Sequence, residues 1–244
     1  MLFKFKKKET VLDCFTFQSN TEKYFPIQKA TKFIPDWYRN LEPPNFTDIT
    51  KPWGLTTMKY CPGFITYFAE SIAVPMWDYA HFKVKPVSRP EIDCASVSII
   101  SHPPSQYAGF LDSQYFHEKI DVPWCVHSKS DTPFILTFPT WCYSAKNTPE
   151  RVINLPGIID FKYQHSVNFQ FMLKKPSTAK DSYVFTFDAG VPLYFLTPLR
   201  DEKITIKTHV VTREEFGNLN STTKTPSHNR PVAYKKYFDK MSKE

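Results

Sequence analysis

SVNFQFML (residues 166–173) and KITIKTHVV (residues 203–211) are the stretches that decide the fold. In each, apolar and polar side chains take turns: Phe169-Gln170-Phe171 in the first, Lys203-Ile204-Thr205-Ile206 in the second. Neighbouring side chains of a strand point to opposite faces, so a period of two marks a strand with one face in a core and one in water. That pattern belongs to antiparallel sheets, whereas the parallel sheets of α/β folds are buried on both faces.

The same grammar extends through the chain. Residues 11–18 (VLDCFTFQ), 96–101 (SVSIIS), 158–163, 183–187 and 193–196 read as strands. Residues 122–128 (VPWCVHS) and 133–138 (PFILTF) read as a hairpin around Lys129-Ser130-Asp131-Thr132. A long extended stretch follows Ala73, with Val74, Met76, Trp77, Tyr79, Phe82 and Val84 along it, and Pro86 closes it. Helices are few. In residues 31–41 Pro35 stands at a first helical position, with Asp36 near the positive helix end. Residues 61–71 read as a helix, with Phe64, Ile65, Phe68 and the following Ile72 at helical spacing. Thr212 followed by Glu215 makes a capping box at the start of a further turn. Residues 218–229 read as a polar loop, and residues 234–243 as a basic helix.

The composition supports this reading. The 244 residues include 21 Pro, 22 Phe, 13 Tyr and 5 Trp but only 6 Gly. Rings and β-branched residues favour short half-buried strands, and proline stops them. A chain of this length buries roughly 70–75% of its unfolded surface, enough to fold without disulfides or metal. Five scattered cysteines with no C-x-x-C spacing point to unlinked thiols in a reducing compartment. No apolar window reaches the length of a membrane span, and the Lys-rich opening lacks the apolar run of a signal peptide. The expectation is an all-β protein, an antiparallel β-sandwich or jelly roll with a cupin-like form as a variant. One domain would span residues 1–244, with a basic tail at 1–9 and a loop plus helix at 217–244.

Several chemistries are excluded or weakened. No G-x-x-x-x-G-K-[ST] or G-x-G-x-x-G occurs, and the glycines never cluster to form a phosphate cradle. No histidine begins H-x-D, H-x-E or H-x-H, so an Fe(II) site would need distant ligands such as Asp78, His81, His102 and His165. His117 and Glu118 are adjacent, so on a strand they face opposite ways. Cys125 and His127 share a strand face, but i, i+2 positions lie roughly 7 Å apart, far for a thiol and its base. The simpler reading is a small buried thiol. Trp77, Trp124 and Trp141 read as core fillers, or as walls of a groove for a sugar, peptide or base. The net charge of +7 gathers partly in Lys4, Lys6, Lys7 and Lys8 and in the Lys-rich end, as solvated tails or as contacts for nucleic acid.

Certain phrases recur in a recognisable order: Phe33-Ile34-Pro35-Asp36-Trp37-Tyr38, Cys61-Pro62-Gly63-Phe64, Val74-Pro75-Met76-Trp77-Asp78 and His102-Pro103. Lys119-Ile120, Pro123-Trp124, Gly190-Val191-Pro192-Leu193 and Pro198-Leu199-Arg200 follow. Together, over about residues 30–215, they resemble a group of uncharacterised proteins of T4-like marine phages, cyanophages among them. The resemblance implies a viral origin, a proline-stopped β fold, and a place in the infected cell's cytoplasm or in the virion. It carries no established activity. A pocket shared by that group would draw on Asp78, His102, Gln106, Lys119 and Arg200, walled by Trp77 and Trp124.

The functional expectation is a non-enzymatic assembly or partner-binding protein that needs no cofactor and no metal. Its partner would be a virion or host protein, with self-association open and no membrane involved. Two alternatives stand beside it: a cupin-like, Fe(II)/2-oxoglutarate-type enzyme, and a nucleic-acid binder working through the basic tails.

Overall fold

Alternation of apolar and polar residues produces fourteen strands among the residues described by the computed structural model, 8–41, 58–86, 88–102, 114–143 and 152–224. They are β1 (Glu9–Thr16), β2 (Gln28–Lys29), β3 (Ile72–Pro75), β4 (Ala80–Val84), β5 (Glu91–Asp93), β6 (Ser98–Ser101) and β7 (Tyr115–His127). After these come β8 (Pro133–Thr137), β9 (Val152–Asn154), β10 (Gly157–Asp160), β11 (Ser166–Lys174), β12 (Tyr183–Phe187), β13 (Pro192–Pro198) and β14 (Lys203–Val210). The α-helices are α1 (Ser19–Tyr24), α2 (Asp36–Arg39), α3 (Pro62–Glu70) and α4 (Arg213–Lys224).

The strands form an all-β sandwich of three sheets. The largest runs β14-β1-β7-β11-β9, with β6 also paired to β7; the others run β10-β8-β13-β3-β2 and β12-β4-β5. Their inner faces meet in one apolar cluster that includes Leu12, Phe82, Ile120, Trp124, Phe134, Phe169, Phe171 and Leu196. Each fully buried phenylalanine contributes about 2–3 kcal/mol relative to exposure, so rings dominate the stability of this interior.

The antiparallel expectation holds for every described pair but one. β1 and β14 run parallel, in register from Glu9↔Lys203 to Thr16↔Val210. A parallel pair needs a long crossover, and nearly the whole described chain lies between these two strands. The expected solvated face is also missing where β3 and β13 pair in the second sheet, while β8 and β10 keep it. β3 is buried at all four positions and β13 at its first five. Its outer residues Ala73 and Phe195 pack under Phe64 and Phe68 of α3, so both faces are covered and alternation gives way to an apolar run.

Other differences have local causes. The stretch after Ala73 is two strands, because the chain leaves one sheet at Met76 and enters another at Ala80. β7 and β8 form no hairpin: β7 pairs with β1, β6 and β11, and β8 with β10 and β13. Both must turn apolar residues inward, and the 128–132 connection carries the chain across the sandwich. The Thr212–Glu215 capping box is present, with Glu215 N–H donating to Thr212 Oγ1 at 3.2 Å and Thr212 N–H to Glu215 Oε2 at 2.8 Å. The helix it starts continues to Lys224, through part of the expected 218–229 loop. Trp77 and Trp124 are core residues, but Trp141 is exposed and lies 6.1 Å from Trp37, whose indole N–H donates to its carbonyl. The tail residues 1–7 and 225–244, and Gln106, lie outside the described residues.

Candidate functional site

β7 is thirteen residues long and has a proline in it. β6 pairs with its residues 118–121 and β1 with residues 125–127, leaving Val122, Pro123 and Trp124 unpaired on that edge. On the other edge the β11 ladder slips between Ser166 and Asn168 at the same level. Pro123 has no N–H to donate, so it sits where neither ladder asks for one. The interruption opens a cleft of about 730 Å³ on the outer face of the large sheet, within the ordinary size range of small-molecule sites.

The residues around the cleft follow from strand parity. Odd positions of β7 point outward, which brings Lys119 and Asp121 to the cleft, with Lys119 Nζ 3.1 Å from Asp121 Oδ1. Asp121 has Ser98 of β6 and Asn168 of β11 as its two lateral partners, so three polar side chains form a row across three strands. Trp77 lines the cleft from the β3–β4 connection; it is only 6% exposed, and its indole N–H has no hydrogen-bond partner among the described residues. α4 supplies Arg213, Phe216 and Asn220. Arg213 stands 4.8 Å over the ring of Phe17, which meets Phe216 edge-on at 5.1 Å.

The seven expected site residues separate in space. Trp77 and Lys119 line the cleft. Asp78 stands one step behind: Oδ2 accepts from the N–H (3.1 Å) and Oγ (2.7 Å) of Ser96, and Oδ1 from Tyr79 N–H, so the carboxylate fixes a cleft-lining serine. His102 stacks on His117 at 4.5 Å and donates its backbone N–H to the His117 carbonyl, away from the cleft. Trp124 faces inward and is 1% exposed, as its even position on β7 requires. Arg200 pairs with Asp131 at 2.8 Å at the turn before β14. Gln106 lies outside the described residues. Hence the expected convergence of Asp78, His102, Lys119 and Arg200 does not occur. Sequence reading missed Arg213, Phe216, Ser98 and Asn168, although the outward parity of β7 and the Thr212–Glu215 capping box were both visible signals.

A second polar group lies on the same outer face. Cys125 Sγ is 3.3 Å from His127 Nε2, closer than strand spacing suggests, because the imidazole can lie back along the strand. Burial pushes the Cys125 thiol up to about 12, so it is a neutral thiol rather than a thiolate. His127 stacks on His165 at 3.6 Å; burial, and then that neighbour, hold His127 below the usual imidazole range. His209 pairs with Asp13 at 2.9 Å. The imagined metal ligands are scattered: His81 bonds Thr186 in the three-stranded sheet, while Asp78, His102 and His165 have the separate settings just given. Among the described residues no three His, Cys, Asp or Glu side chains are grouped to hold a metal ion. No helix among them is long and apolar enough to cross a membrane.

No protein-family model matches the chain, and no curated protein or solved structure matches it either.

Proposed function

We propose that the chain is a binding protein, a β-sandwich whose outer-face cleft receives a polar ligand or the polar tip of a partner. The observation that carries this reading is Trp77. A buried indole N–H without a partner costs free energy unless something completes it, and here the residue lines a cleft rimmed with hydroxyl, amide and charged groups. The lining is suited to recognition: it offers donors, acceptors and ring surface, and its lysine already lies beside Asp121. On the resemblance drawn from the sequence, the setting is a phage infection and the partner a virion or host component.

The test is a titration of isotope-labelled protein with pools of small polar molecules, read at the indole N–H of Trp77 and assigned with Trp77→Phe. A saturable shift that Asn168→Trp abolishes, by filling the cleft, is the expected result. Binding reported only by Trp37 and Trp141 would move the site elsewhere and end the proposal.

A further inference from the structure

We infer that the ligand of this cleft is a hydroxyl-rich molecule with a single anionic group, an anionic monosaccharide such as a uronate or a sugar phosphate. The inference rests on the binding reading above. Two cations and one carboxylate line the cleft. Asp121 offsets Lys119. Arg213, which is exposed, meets no carboxylate among the described residues and stands over the ring of Phe17 instead. One positive charge is therefore left for the ligand, on a planar group whose paired N–H donors match a carboxylate or phosphate.

The rest of the lining is neutral and two-sided. Ser98 and Asn168, on either side of Asp121, each donate and accept hydrogen bonds, as sugar hydroxyls do. Ser96 gives its proton to Asp78, which leaves its oxygen to accept. Gln18 uses its carbonyl on Thr21, which leaves its amide N–H groups to donate. The rings of Trp77, Phe17 and Phe216 offer surface for the C–H faces of a pyranose. An apolar ligand would strand these groups, and a cationic one would meet Arg213.

The experiment is calorimetry and Trp77-read titration with three matched pairs: glucuronate against glucose, galacturonate against galactose, and glucose 6-phosphate against glucose, with inorganic phosphate as a further arm. In at least one pair the anionic member is expected to bind about tenfold or more tightly than its neutral parent, the scale of one charge-assisted contact. The uronate and phosphate arms identify the source of the charge. Arg213→Gln should shrink the ratio of anionic to neutral affinity to within about threefold, and Arg213→Lys should recover part of that ratio; thermal melts check that both variants fold. Inorganic phosphate binding as tightly as the sugars, neutral parents equalling their anionic partners in all three pairs, or an unaltered preference in Arg213→Gln would each overturn the inference. If other molecules shift Trp77 while no anionic sugar does, the ligand class falls and the binding reading stands. If nothing shifts Trp77, both fall.

Discussion

On the inward face of β7, Ile120, Val122, Trp124 and Val126 join the shared apolar cluster. On the outward face the same strand presents His117, Lys119, Asp121, Cys125 and His127, and each of these has a polar contact. The backbone is common to both, so the difference lies in side-chain parity and in what covers each side. The inner face meets two other sheets and is filled with rings. Part of the outer face meets α4 and, through Trp77, the β3–β4 connection, and there the ladder interruption at Pro123 is left open as a cleft. Stability and recognition are thereby assigned to opposite sides of one strand, and substitutions on the two sides should behave differently.

The largest effect is expected inside. Phe171 is fully buried and packs against Phe82, Phe169 and Phe187 at 5.3–5.7 Å between ring centres. Phe171→Ala should cost about 3–5 kcal/mol, the range for emptying a close-packed aromatic site. Urea denaturation would show this as a large fall in midpoint. A loss below about 1 kcal/mol would mean that the inner face collapses around the gap, and the contrast between faces would weaken.

Next in size is a polar exception on the buried side. Glu202 is 5% exposed and accepts hydrogen bonds from Thr10 and from Thr132 (2.6 Å), with Lys8 Nζ 3.4 Å away. It ties the start of β1 to the turns before β8 and β14. Glu202→Ala removes the charged acceptor shared by Thr10 and Thr132, leaving them each other and Ser130, and should cost about 1–3 kcal/mol. The pH dependence has a definite sign. Burial acts to raise the carboxyl's pKa, but the two threonines and Lys8 outweigh it and hold it below the ordinary 4.5. Stability from this group is thus complete above pH 4.5 and is lost as pH falls through the lower folded value. Glu202→Gln should flatten the acid end of a melting-temperature profile.

These interior features differ in how far they could be read from sequence. Strands such as β11, β12 and β14 were legible within a residue or two, because a period of two is a local property of the chain. The capping box at Thr212 was equally local. Partnership was not local: nothing in VPWCVHS and PFILTF says that they enter different sheets, and nothing in residues 9–16 says that the strand lies parallel to residues 203–210. Site residues followed the same division. Lys119 and Trp77 were chosen from the phrases that carry the resemblance, while Arg213 reaches the cleft only because α4 folds back over β7. Asp78 was selected for the right neighbourhood but the wrong role, since a carboxylate that accepts two hydrogen bonds from Ser96 looks the same in sequence as one that meets a ligand.

A smaller effect separates the two faces by pH. Burial, named first in each case, holds His117, His127 and His165 below the ordinary imidazole value of 6.5; His102 adds to it for His117, and His165 for His127. Below pH 6.5 the unfolded chain takes up protons before the folded one does, so stability should decline as pH falls from 6.5 toward the lower folded values. Asp13 works against this at His127, and Glu118 on the inner face has the opposite sign, because burial raises its carboxyl. Urea midpoints between pH 7.5 and 5.5 should therefore drop in the native chain and drop less in His165→Gln. An unchanged slope in that variant would show that the His127–His165 stack is no harder to protonate than free imidazole.

The smallest stability effect should come from the cleft itself. Lys119 and Asp121 form an ion pair at the surface, with side chains 18% and 37% exposed. Pairs of that kind are worth about 0.2–1 kcal/mol in double-mutant cycles, so the coupling between Lys119→Met and Asp121→Asn should fall in that range. Ligand binding should not follow the same scale. Removing Lys119 leaves Asp121 unbalanced and turns the cleft's spare positive charge from Arg213 into an even balance, so affinity for an anionic sugar should drop while the melting temperature barely moves. Asp121→Asn should do the reverse and tighten it. If both variants changed stability strongly and binding weakly, the outer face would be holding the sheet together as the inner face does, and β7 would not divide its work by side.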